Sequence, residues 1–180
     1  MAKLGKGKFS AKIDKMYLRW FAYALVLLLI SLLQASPRML PTVGGAHPLP
    51  LISAVVCFAM FEGPLTGAGI GIGAGCLWAL YTERLFGFDA LLLMIVGCTC
   101  GLLVQLLIRN NWMSALLLNA ATIAAYTLID WLVRYVLFAQ DGAFHALWYI
   151  LLPNALYTLI LSPLVYLAAY GLARSLRETV

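Results

Sequence analysis

Few residues in this chain have the type and spacing for chemistry, and nearly all of them lie in apolar surroundings. Asp130 and Arg134 stand four apart within one hydrophobic run. A helix places them on one face with the acid N-terminal to the base, the favourable order for a helical ion pair. An intramembrane charge reads by default as a proton relay or a substrate counter-ion. The simpler reading is a self-neutralised pair near the outer interface, with Arg134 snorkelling outward. It is preferred because a transporter would carry more such groups at greater depth. Glu83, Arg84 and Asp89 fall in the loop after a glycine-rich segment, where they line an outer mouth or mark where a helix leaves lipid. Glu62 sits at a short inner turn, as an interfacial charge or a contact for a cytoplasmic partner.

The remaining polar positions read as structural. Asn119 and Asn154 are amides in apolar runs and can bond across helices. Pro153 and Pro163 each remove a backbone donor from the last apolar run and can kink it, shaping a cavity or a partner groove. Cys57, Cys76, Cys98 and Cys100 all lie inside apolar segments, with Cys98 and Cys100 on different helix faces. They read as small core residues, not metal ligands. His47 and His145 fall in expected outer loops. No Gly-x-Ser-x-Gly elbow, phosphate loop or paired-carboxylate constellation is present. The expectation is a protein with no catalytic site, no cofactor and no metal.

The elements that position these residues are membrane helices. The chain is 64% hydrophobic and 11% charged, against roughly 25% charged in an ordinary globular protein. Glycines recur every four residues at Gly63, Gly67, Gly71 and Gly75, with Gly69 and Gly73 between them. Spacing of four gathers them on one helix face, where a second backbone can approach closely. In a soluble helix each would cost roughly 1 kcal/mol. The stripe therefore points to a packed transmembrane bundle, as a helix-packing or partner interface. Apolar runs suggest six spans: Tyr17–Gln34, Leu49–Phe61, Pro64–Tyr81, Ala90–Ile108, Met113–Leu137 and Leu147–Ala173. The second is short for a hydrocarbon core about 30 Å thick. The expected organisation is a basic arm over 1–16, a membrane domain over 17–173 and a tail over 174–180.

Charge sets the orientation. Lys3, Lys6, Lys8, Lys12, Lys15, Arg19, Arg109, Arg174 and Arg177 fall inside if the N-terminus is cytoplasmic, and Arg38, Arg84 and Arg134 fall outside. Nine against three favours both termini inside. Tyr17, Trp20 and Trp112 at the inner interface and Tyr81, Trp131, Phe138, Trp148 and Tyr149 at the outer one form the expected aromatic belts. The net charge of +5 is concentrated in the N-terminal arm, which suits anionic headgroups and not a nucleic acid. Because Leu33-Gln34-Ala35 is a poor cleavage site, the first apolar run is read as a retained anchor and not a signal peptide.

The run from Phe61 through Glu-Gly-Pro-Leu-Thr-Gly-Ala-Gly-Ile-Gly-Ile-Gly-Ala-Gly-Cys-Leu77, then Gly87-Phe-Asp-Ala-Leu, then Val96-Gly97 and Gly101-Leu-Leu, resembles the MreD family of rod shape-determining proteins. Leu151-Leu-Pro-Asn-Ala-Leu-Tyr157 followed by Pro163-Leu-Val-Tyr166 resembles that family's last helix. One position departs: where the family often has an aspartate four residues after the last glycine, this chain has Ala79, and the nearest acid is Glu83 one turn on.

The resemblance implies a non-catalytic inner-membrane subunit of the bacterial cell-elongation machinery. It implies MreC as partner and, indirectly, the MreB filament and the enzymes of lateral peptidoglycan synthesis; a second copy of the chain is a further partner to consider. It also implies a six-helix fold similar to the substrate-binding subunits of energy-coupling-factor transporters, and a vitamin-like substrate-binding subunit is the alternative function. Such subunits commonly carry Ala-x-x-x-Ala on the first helix, and neither Ala22 nor Ala24 has an alanine four residues on. Topology is directly testable: single cysteines at Lys3 and Thr179 should resist a membrane-impermeant label in intact cells, and one at Gly142 should react. Labelling at either terminus would overturn the orientation.

Overall fold

The computed structural model describes residues 4–36, 47–80, 87–107, 111–133, 145 and 147–178. Six helices follow in chain order: α1 (Leu4–Ala35), α2 (Pro50–Glu62), α3 (Pro64–Ala79), α4 (Phe88–Leu106), α5 (Trp112–Trp131) and α6 (Leu152–Glu178), the last entered through a π-helical turn at Leu147–Leu151. No strand occurs among the described residues. Three helical stretches are long and apolar enough to cross a membrane: Phe88–Leu106, Trp112–Trp131 and Leu147–Ser175. The apolar helices Arg19–Ala35, Pro50–Glu62 and Pro64–Ala79 are shorter. By length and composition this all-helical architecture is compatible with crossing a membrane more than once. The backbone of the basic arm runs into the first apolar segment without a break, because α1 begins at Leu4.

The short second helix occupies the centre. Every residue of α2 from Pro50 to Met60 is buried, and α2 touches all five other helices. Its sequence explains this. It is apolar on every side, which suits a helix buried all round. At 13 residues it spans about 20 Å. Enclosed by protein, it need not match the bilayer, which answers the shortfall seen in its sequence. Its Phe58 shares the core with Tyr23, Trp78, Leu93 and Tyr126 from the surrounding helices.

The two ends of the bundle are set by glycine. Gly63 joins α2 to α3 with φ +92° and ψ 179°, a region open essentially to glycine alone. Gly87 precedes α4 with φ +93°. Pro50 and Pro64 stand in the first turns of α2 and α3, where the missing N–H costs nothing.

Gly67, Gly71 and Gly75 face α4. A Cβ on Gly71 would overlap the carbonyl of Leu93, and one on Gly75 would overlap the backbone of Ala90. A Cβ on Gly67 would lie 2.7 Å from Gly97 O and 2.6 Å from Ala59 Cβ. α4 answers with its own small residues: Gly97 meets Gly67, and a Cβ on Gly101 would lie 2.6 Å from Pro64 Cα. The stripe is thus filled from within the chain, and α4 covers the face that the spacing offered to a partner. Gly63 belongs to the turn, while Gly69 is covered by the Trp20 ring and Gly73 has open space. The contrast yields a test. Gly71→Ala and Gly75→Ala should each destabilise the protein by about 1–3 kcal/mol or more through overpacking. Gly73→Ala should be neutral or stabilise by roughly 0.5–1 kcal/mol. Thermal unfolding in detergent reads the difference, and equal behaviour of the three would refute the packing argument.

Candidate functional site

The polar residues form three groups, and each joins helices distant in sequence. The first lies where the chain enters α2. In a buried helix start the leading N–H groups need partners, and Leu49 supplies no side-chain cap. Neighbouring helices supply them. His47 N donates to Asn154 Oδ1 at 2.7 Å, Leu49 N to Thr158 Oγ1 at 2.9 Å and Leu51 N to Gln34 Oε1 at 3.3 Å. Thr158 Oγ1 also donates to Asn154 O at 2.7 Å. Asn154 and Thr158 stand one turn apart on α6, and Gln34 lies near the end of α1. Asn154, expected as bundle glue, holds the backbone of the segment leading into α2.

The second group closes the other end of α2. Arg19 donates to Glu62 Oε1 in an ion pair, and Tyr23 OH donates to the same oxygen at 2.6 Å. Arg19 and Tyr23 are one turn apart on α1, and the Tyr23 ring packs on Phe58 at 5.0 Å. Glu62 is therefore held inside the bundle by α1.

The third group runs along α5. Asn119, Thr122, Tyr126 and Asp130 recur at intervals of three and four, and all are buried. Tyr126 OH donates to Asp89 Oδ1 at 2.8 Å, and its ring stacks on Trp78 at 5.6 Å. Asp89 is not a loop charge: it sits in the first turn of α4, fully buried, where the helix dipole favours a carboxylate. Thr122 Oγ1 lies 3.4 Å from Cys100 Sγ. Asn119 Nδ2 donates to Ala115 O at 2.9 Å and contacts Cys57 Sγ at 3.8 Å. Asn119 Oδ1 is buried and accepts no hydrogen bond among the described residues.

No family model matches this chain, nor does any curated protein or solved structure. The site must be judged on its own geometry. The described residues contain no cluster of three metal-binding side chains. The cysteines are free: Cys57 and Cys100 are buried, Cys98 is half-buried and Cys76 is exposed. The His145 ring stacks on Tyr149 at 4.2 Å. Arg134, Glu83 and Arg84 lie outside the described residues, so the expected Asp130–Arg134 pair does too; Asp130 itself is buried. Pro153 is the second residue of α6, and Pro163 lies inside that helix.

Cavities lie along the seam of α5 and α6. One of about 200 Å³ is bounded by Trp112, Leu116 and Asn119 from α5 and by Ser162, Pro163 and Leu167 from α6. Another of about 320 Å³ lies towards the Gly87 end, with Ala120, Ala124 and Leu128 facing Leu152, Ala155 and Leu156. Their walls are almost wholly apolar.

Sequence reasoning missed the Arg19–Tyr23–Glu62 and Asp89–Tyr126 pairings. The available signal was spacing: Arg19 with Tyr23, Asn154 with Thr158 and Ser162, and Asn119 through Asp130 each repeat polar residues at helical intervals on an otherwise apolar helix. If these groups serve structure, removing one partner leaves the other buried. Thr158→Val should cost about 1–3 kcal/mol by orphaning Leu49 N, and Tyr126→Phe a similar amount by depriving the Asp89 carboxylate of a donor. Unfolding midpoints of the purified variants check both; unchanged midpoints would show that these bonds hold nothing.

Proposed function

We propose that the chain is a non-catalytic scaffold subunit of the bacterial cell-elongation machinery, seated in the inner membrane with both termini in the cytoplasm and bound to MreC. The observation that carries the reading is how the buried polar groups are spent. Gln34, Asn154 and Thr158 hold the start of α2, Arg19 and Tyr23 hold its end at Glu62, and Tyr126 holds Asp89. Polar side chains committed to fixing helices against one another suit a rigid platform.

The resemblance of the glycine run and of the last helix to the MreD family supplies the biological setting. The cavities along α5 and α6 offer a vitamin almost no polar partner, whereas a small-molecule site fixes its ligand with several convergent polar groups. Depleting the protein in its host should make rod-shaped cells round up while uptake of labelled vitamins stays normal, and MreC should co-purify with the protein from membranes. Unchanged shape together with lost vitamin uptake would replace the scaffold reading with the substrate-binding one.

A further inference from the structure

We propose that the crevice between α1 and α6 holds one acyl chain of a membrane phospholipid, and that Gln34 Nε2 donates to the ester carbonyl at the head of that chain. This site needs only a place in the membrane and is independent of the scaffold role. Two features select the occupant.

The first is the crevice itself. α1 packs on α2 and α3, and a cavity of about 160 Å³ separates it from α6, over a floor that includes Phe58 of α2. Every lining residue is aliphatic or aromatic. A polar ligand would give up its hydration there and gain no hydrogen bond, so the walls match hydrocarbon. Val26, Ile30 and Leu161 line the crevice half-buried, and Leu33 and Leu164 are exposed at its rim, so it opens sideways towards lipid. Its α6 wall runs from Leu161 to Ala169 and its α1 wall from Val26 to Leu33, rises of about 12 and about 10 Å. One leaflet supplies about half of a hydrocarbon core about 30 Å thick, and the crevice fits within that half. A crossing helix would meet it over less than half of its own length. A second copy of the chain would need about 800 Å² per partner for a stable contact, far more than so short a crevice offers.

The second is the amide at its mouth. Gln34 follows Leu33 on α1, one residue before that helix ends at Ala35. Leu51 N, next to Pro50 of the lining, donates to Gln34 Oε1 at 3.3 Å. That bond fixes the direction of the amide. Its Nε2 has no acceptor among the described residues, and Gln34 is half-buried. Bare hydrocarbon has no acceptor to give. A phospholipid carries an ester carbonyl at the head of each chain, where the apolar helix ends and the chain enters the crevice.

The test uses the purified full chain, stripped of lipid in detergent. Its probes are dioleoyl phosphatidylglycerol, the dialkyl-ether analogue that lacks the carbonyls, and a diester lipid with a diazirine midway along one chain. Native mass spectrometry should show one tightly retained diester molecule. The ether analogue should bind about three- to tenfold more weakly, the range of one hydrogen bond in a membrane. Ala168→Phe, at an exposed lining position, should abolish retention of both lipids without lowering the unfolding midpoint of the lipid-free protein; this separates binding from folding. Gln34→Glu keeps the acceptor for Leu51 N and removes the donor, so it should bring the diester lipid down to the level of the ether analogue or below. The diazirine should label Ile30 and Leu161 ahead of Leu29 and Ile160, which are exposed outside the crevice. Labelling that follows exposure, with Leu29 and Ile160 ahead, would mean ordinary lipid contact and overturn the site, as would undiminished retention by Ala168→Phe. Equal binding of the ester and ether lipids would overturn the Gln34 contact.

Discussion

A helix too short to cross the bilayer stands at the centre of this protein, and both of its ends need hydrogen-bond partners where water is scarce. An unsatisfied backbone group in hydrocarbon costs several kcal/mol. The start of α2 is therefore the most demanding point in the fold. The surrounding helices carry their polar side chains to meet it: Gln34 from α1 and Asn154 and Thr158 from α6 reach the N–H groups of residues 47–51. This requirement fixes where α1 and α6 must sit relative to α2. It also explains why Asn and Thr persist within an apolar helix, where each would otherwise weaken insertion.

Around that centre the bundle closes unevenly. Between α3 and α4 the backbones touch through facing glycines, so the contact tolerates no added methyl at Gly71 or Gly75. The glycines give up helix propensity, and the close approach returns dispersion contact along the whole seam. Between α5 and α6 the walls stand apart and leave cavities of about 200 and 320 Å³. One side of the bundle is rigid by geometry. The other keeps room beside a buried amide.

The helices were legible in the sequence because hydropathy and length determine them almost alone: the six apolar runs match six helices, and the turn at Gly63 follows from Glu-Gly-Pro. Which neighbour covers the glycine stripe was not legible. A small-residue face states that something packs closely, and spacing cannot say whether that is α4 or another protein. Asp89 was misplaced for a related reason. Its neighbours Glu83 and Arg84 read as a loop, whereas Gly87, with a positive φ, stands just before α4 and puts the buried Asp89 in that helix's first turn. The partners of Glu62 were hidden by distance in sequence, since Arg19 is 43 residues away. Tertiary pairing of this sort leaves only the weak trace of helical spacing between Arg19 and Tyr23.

The carboxylates show one device used twice. Glu62 precedes the start of α3 and Asp89 stands in the first turn of α4, the helix that follows α3 in the chain. Each accepts from a tyrosine on another helix, Tyr23 from α1 and Tyr126 from α5. Each tyrosine is braced by a second aromatic ring, Phe58 or Trp78. A carboxylate that carries protons must exchange partners as it works, so it is served by loose surroundings and water. Bracing the donor with a packed ring does the opposite: it lowers the entropy lost on bonding and resists exchange. The end of α2 is thereby pinned to α1, and the start of α4 to α5. Displacing one of these helices would therefore strain the others through the same hydrogen bonds.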